Sequence, residues 1–196
     1  MKKGLIIIIV LAIVLIGGCN MYKSLQNGLN ASKNNVEAKW ADVQNDYQRR
    51  SDLIPNLVAT VKGAAAHEEN TLTAVTEARA KATQMTVNAS DLTPEKLQQF
   101  QQAQGQLSQA LGKLLSVTEA YPQLQANQNF LGLQTQIEGT ENRITVARKD
   151  YNDAVQEYNT KATNFPTSLI ANSIGFKPYP TFTADAAAQT APKVSF

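Results

Sequence analysis

The sequence predicts an all-α protein: an elongated antiparallel up-and-down bundle of about four long helices behind an N-terminal membrane segment. Three observations carry that expectation. Residues 5–16 (LIIIIVLAIVLI) are twelve unbroken apolar residues just after Lys2 and Lys3. Between residues 22 and 164, apolar residues recur at steps of three and four, with no alternating strand pattern. The prolines fall only at 55, 94, 122, 166, 178, 180 and 192, dividing the chain into long helical blocks.

The N-terminus reads as an export address. At about 1.5 Å per residue the apolar run spans ~18 Å, short against a hydrocarbon core of ~30 Å and suited to a signal-peptide core. Ile16-Gly17-Gly18-Cys19 resembles a bacterial lipobox, in which Cys19 is the lipid attachment residue. The alternative is an uncleaved transmembrane helix with Cys19 near its end. On either reading Lys2 and Lys3 hold the start inside and place the bundle on the extracytoplasmic face of the envelope.

The blocks follow in order. The first carries Val36, Trp40, Val43 and Tyr47; the second carries Ile54, Leu57, Val61, Ala64, Val75 and Ala78. Between them, Ser51 or Asp52 caps a new helix whose first turn holds Pro55, which favours a tight corner. A stripe still in phase at Arg50 also fits one long helix kinked at Pro55. The third block opens with Thr93 as N-cap and Pro94 at the first helical position. Its stripe is Leu97, Phe100, Leu107, Leu111, Leu114 and Val117, and Tyr121-Pro122 ends it. The fourth is the clearest: Phe130, Leu133, Ile137, Thr140, Ile144, Ala147, Tyr151, Ala154 and Tyr158 form a narrow seam over four heptads. Beyond Pro166, residues 168–174 are expected as a short helix and 175–182 as extended chain. Phe176, Tyr179 and Phe182 lie either against the bundle or in an unpacked tail. Residues 185–196 are expected to be disordered.

Composition limits the chemistry. Setting aside Lys2 and Lys3, the chain carries 16 basic and 16 acidic residues. That balance leaves no electrostatic footprint for nucleic acid. One Cys excludes an internal disulfide, and one His, His67, excludes a multi-histidine metal site. His67 has no HExxH partner, since residue 71 is Thr, and no Ser sits in a Gly-rich elbow. No catalytic residue, metal site or cofactor is assigned, and the expectation is that the protein is not an enzyme. Two charged clusters stand out. Arg49, Arg50 and Asp52 lie at the corner, and Glu141, Asn142 and Arg143 lie on the fourth helix. They read either as caps and exposed ion pairs or as a structural polar network that fixes helix register.

Several of these segments together resemble the LemA family of bacterial envelope proteins. They are residues 49–61 (RRSDLIPNLVATV) with Lys62-Gly63 and His67-Glu68, then Tyr121-Pro122 with Asn129-Phe130, then residues 140–152 (TENRITVARKDYN). Trp40, Phe165-Pro166 and Gly175-Phe176 also fit. Ala64-Ala65 departs from the pattern, because the family often has an aromatic at the first of these positions. The resemblance implies an anchored antiparallel bundle and does not imply an enzyme. It also associates the chain with proteins that shape magnetosome membranes and with neighbouring genes for membrane proteases.

The expected organisation is a signal or membrane segment (1–18), a membrane-proximal linker or helix start (19–33), a helical bundle (34–165), and a short helix with an extended tail (166–196). The expected function is a membrane-tethered, non-catalytic scaffold or adaptor. Its partners would be the membrane, envelope proteins including membrane proteases, and further copies of itself. The alternatives are an envelope hydrolase or substrate-binding lipoprotein with converging carboxylates, and a membrane-remodelling protein.

Overall fold

Seven apolar or aromatic residues of the first two blocks (Val36, Trp40, Val43, Tyr47, Ile54, Leu57 and Val61) repeat at helical spacing. In the computed structural model they all line one uninterrupted helix. The structure describes residues 2–65 and 67–183. Helix α1 runs from Lys2 to Ala64, 63 residues, or ~95 Å. Its first turns are apolar and exposed, and its second half forms a wall of the bundle. Helix α2 (Glu69–Gln84) returns alongside it. A single 3-10 turn (Ala89–Asp91) leads into α3 (Pro94–Thr118). The short α4 (Pro122–Gln125) leads into α5 (Gln128–Thr163), and α6 (Thr167–Ser173) follows. The described residues contain no strand. The architecture is all-α, with four principal rods running up and down.

The closest pairings are α1 with α5 and α2 with α3. Ion pairs set the antiparallel register of α1 and α5: Arg143 against Asp46 at 3.4 Å and Lys39 against Asp150 at 3.8 Å. Lys161 donates to Ser32 at 2.8 Å nearer the N-terminal segment. Helix α3 starts as expected: Thr93 accepts from the Lys96 amide, with Pro94 in the first turn.

The corner expected at Pro55 does not form. Helix α1 continues through it, as the alternative of one long helix has it. Pro55 has no N–H to give to the Ser51 carbonyl, four residues back. Arg79 of α2 supplies the missing donor, its Nε lying 2.8 Å from that oxygen. The break falls at the end of α1 instead, so the expected second block is divided between α1 and α2. His67 sits exposed in the turn between them rather than on a helix. Ala65, not Ala64, is the fully buried member there. The rods are also less equal than expected: α2 has 16 residues, α3 has 25 and α5 has 36. The expectation for residues 185–196 lies outside the described residues.

Two apolar clusters fill the bundle. The proximal one, nearer the N-terminal segment, is aromatic, with Trp40, Tyr47, Phe100, Tyr151, Tyr158, Tyr179 and Phe182. The distal one is aliphatic, built around Ile54, Leu57, Val61, Leu107, Leu111 and Leu114.

Candidate functional site: a buried polar node and a C-terminal strap

Arg50 lies where the two clusters meet, and only 1% of it is exposed. A guanidinium offers five donors and is always charged, so burial demands partners. Its Nη1 donates to Glu141 Oε2 at 2.7 Å and to Ser108 Oγ at 2.8 Å. Its Nη2 donates to Gln104 Oε1 at 2.7 Å. Three helices are thereby joined at one side chain: α1, α3 and α5. Arg50 also lies over the Tyr47 ring, 5.1 Å from its centroid. Its Nε and the Ser51 hydroxyl are buried with no partner among the described residues.

The sequence-marked charges divide accordingly. Arg50 and Glu141 meet. Arg143 forms a separate exposed link, to Asp46 and to the Thr140 hydroxyl at 3.0 Å. Asp52 is exposed and accepts from Gln48, one turn away, at 2.7 Å. Arg49 and Asn142 are exposed and make no side-chain hydrogen bond or ion pair among the described residues. Sequence reasoning missed Gln104 and Ser108. Gln104 did leave a signal, since it occupies the seam position between Phe100 and Leu107, where a polar residue needs a partner.

The second construction is the extended segment after α6. Gly175, at φ +71°, turns the chain back along the bundle. Two asparagines of α5, seven residues apart, then grip its backbone. Asn159 donates to the Tyr179 carbonyl at 3.0 Å and accepts from the Tyr179 amide at 3.2 Å. Asn152 does the same for Phe182, at 3.1 and 2.8 Å. A side-chain amide carries one donor edge and one acceptor edge, so each asparagine substitutes for a neighbouring strand. Prolines 178 and 180 hold the segment extended. Tyr151 donates to the Pro180 carbonyl at 3.0 Å.

The side chains of the strap complete the proximal cluster. The Phe182 ring lies 6.0 Å from Trp40 and 5.5 Å from Tyr151, while Arg148 covers its other side at 4.7 Å. Trp40 itself donates to the Val87 carbonyl at 2.8 Å, tying the α2–α3 hairpin to α1. Burial raises the Tyr151 hydroxyl far above its ordinary pKa. Burial and the neighbouring Glu37 carboxylate do the same to Tyr179, which donates to Glu37 at 3.3 Å.

Chemically, these groups hold backbone and helices in register. Glu68 accepts from the Tyr121 hydroxyl at 2.8 Å. Among the described residues no three of His, Cys, Asp and Glu gather as metal ligands. Cys19 lies exposed on α1 just past the apolar run.

A model of the LemA family matches residues 39–196, which include both the node and the strap. The chain belongs to the LemA family. Protein LemA of Metamycoplasma hominis is 24% identical over 154 residues, covering 79% of this chain and 67% of that protein. Magnetosome protein MamQ 2 of Paramagnetospirillum magneticum is 37% identical over 75 residues. Magnetosome protein MamQ of Magnetospirillum gryphiswaldense is 32% identical over the same length. Both matches cover 38% of this chain and 28% of the relative, so the chain spans just over a quarter of the MamQ proteins. The N-terminal apolar helix and these relatives fit a membrane-associated protein.

Proposed function

We propose that this LemA-family chain is a membrane-tethered, non-catalytic scaffold of the bacterial envelope, its bundle on the extracytoplasmic face. The observation that carries the reading is the continuity of α1. One helix holds an 18-residue apolar stretch with none of it buried and, farther on, Trp40, Arg50 and Leu57 of the core. A flexible linker would let the bundle drift; a shared helix transmits the orientation of the anchor to the bundle. The node fits the same role: the Arg50 Nη atoms and Glu141 satisfy one another, and among the described residues no acid, base and nucleophile converge.

The partners are membrane proteins of the envelope or further copies of this chain. Val146, 58% exposed on α5, lies in the outer groove between α1 and α5. A photoreactive amino acid at Val146 in intact cells is expected to yield discrete crosslinked protein species. Recovery of the uncrosslinked chain alone would count against the scaffold reading. The mass of the mature N-terminal peptide separates an acylated Cys19 from an uncleaved helix. Protease accessibility in spheroplasts reports the side on which the bundle lies.

A further inference from the structure

The connection from α5 through α6 carries exposed apolar side chains that the bundle does not use. Phe165 is 81% exposed, Leu169 is 68% and Ile174 is 40%. Ile170 and Ala171 on the other face of α6 are buried, and Ala171 belongs to the same cluster as Leu29 of α1. So α6 is fixed to the bundle by one face and presents the other outward. Met21 and Tyr22 of α1, 55% and 43% exposed, lie at the same end.

The register gives the height of this patch. Arg143 faces Asp46 and Lys161 faces Ser32 across the antiparallel pair. Carrying these two pairings on to residue 165 places Phe165 level with residues 24–28 of α1. A bilayer core needs ~20 helical residues; counted from Lys3, these end near Tyr22. Phe165 then stands ~3–9 Å beyond the core, at the level of the headgroup layer, which is ~5–7 Å deep on each side. If Cys19 carries the lipid, the offset counted from Cys19 is larger by ~4.5 Å.

Charge agrees with position. From residue 17 to residue 36, α1 has Lys23 and Lys33 and no acid. From residue 158 to residue 184 there are Lys161 and Lys177 and again no acid. The α2–α3 hairpin adds Asp91, Glu95 and Lys96. Glu37 and Glu157 flank these stretches and pair with Lys33 and Lys161 at 3.7 and 2.8 Å, whereas Lys23 and Lys177 make no ion pair among the described residues.

We propose that the elbow of residues 165–174 is a second membrane contact. It seats Phe165 and Leu169 in the interface of the bilayer that holds α1, with Lys23 and Lys177 against anionic headgroups. This inference rests on the tethered reading. A single helix, with the bundle fixed to it, can still rotate about its own axis and tilt in the bilayer. A second contact beside it fixes which face of the bundle points away from the membrane.

The test uses the full chain in liposomes of phosphatidylethanolamine and phosphatidylglycerol with brominated acyl chains. Trp40 is the only native tryptophan and is buried. Tryptophan is added singly by Phe165→Trp, Leu169→Trp, Tyr22→Trp or Gln125→Trp, the last at the distal end. The two elbow variants and Tyr22→Trp are expected to lose most of the added emission, and Gln125→Trp none. Quenching of Tyr22→Trp alone would remove the elbow contact and leave the tether standing. No quenching at any site would remove both. Elbow tryptophans that escape the brominated chains yet are shielded from acrylamide would place a protein on the patch and overturn the proposal.

Discussion

The proximal and distal halves of the bundle are held by different means. The distal half is a mainly aliphatic core of Ile54, Leu57, Val61, Leu107 and Leu114, with Phe130, and non-directional burial is its main support. The proximal half is aromatic and bound by directed contacts: Trp40 to Val87, Tyr151 to Pro180, Tyr179 to Glu37, and two asparagines to the strap. Aliphatic seams tolerate sliding, whereas directed bonds to one backbone fix a single arrangement. The half nearer the N-terminal apolar segment is thus the one whose geometry is specified most closely.

The boundary between the halves gives the largest expected effect. Arg50→Ala strands Gln104 and Ser108 and empties a buried site, so it is expected to destabilise by ~3–5 kcal/mol. Arg50→Met keeps most of the volume but still deprives Gln104 of its donor, a loss of ~1–3 kcal/mol. Glu141 is 49% exposed, and water can replace it, so Glu141→Ala is expected to lose only ~1 kcal/mol. Urea titration of the three variants checks the order. Equal losses for Arg50→Ala and Glu141→Ala would mean that the pair, rather than the three-helix node, sets stability.

Alkaline pH should discriminate between the halves. Tyr47, Tyr151, Tyr158 and Tyr179 all lie in the proximal cluster, and burial raises each hydroxyl above its ordinary value. The unfolded chain releases these protons near pH ~10, while the folded chain retains them. The stability this contributes is complete below that pH and is lost as the pH rises through the folded pKa values. Tyrosinate absorbance and loss of helical circular dichroism are therefore expected to rise together. Tyr158→Phe removes one such hydroxyl, which donates to no group among the described residues, and should move the alkaline transition upward. An unchanged midpoint would argue against burial as the cause.

The strap gives a smaller and more local effect. Asn159→Ala and Asn152→Ala each remove a donor and an acceptor from the backbone, for ~1–2 kcal/mol each. Hydrogen exchange is expected to speed up at the Tyr179 and Phe182 amides before it does in α2 or α3. Exchange that accelerates equally throughout the bundle would show that the strap and the helices open as one unit.

How much of this the sequence disclosed follows from the range of each interaction. The seam from Phe130 to Tyr158 is periodic, and periodicity is a local property, so the helices and their buried faces were legible. Thr93-Pro94 at the start of α3 was legible for the same reason. The node was half legible: Arg50 and Glu141 stood out as charges near a seam, but their meeting depends on helices 91 positions apart. Asn152 and Asn159 looked like ordinary polar residues on an amphipathic helix. Only the tertiary return of residues 176–183 turns them into backbone clamps.

Pro55 is the sharpest case of a local rule overridden from a distance, and it yields the smallest expected effect. Local chemistry reads Ser51-Asp52 followed by Pro55 as the start of a helix. The continuous helix instead leaves the Ser51 carbonyl without its usual donor, and Arg79, 28 residues away, fills the place. Arg79→Ala in the native background is expected to cost ~1–2 kcal/mol, because a largely buried carbonyl loses its partner. In a Pro55→Ala background the residue-55 amide can donate to Ser51, and the same substitution should cost less than ~0.5 kcal/mol. The difference is the coupling energy of a double-mutant cycle. A coupling near zero would mean that Arg79 contributes only through its own packing. In that case the unbroken path from anchor to core would rest on the seam of α1 against α5 alone.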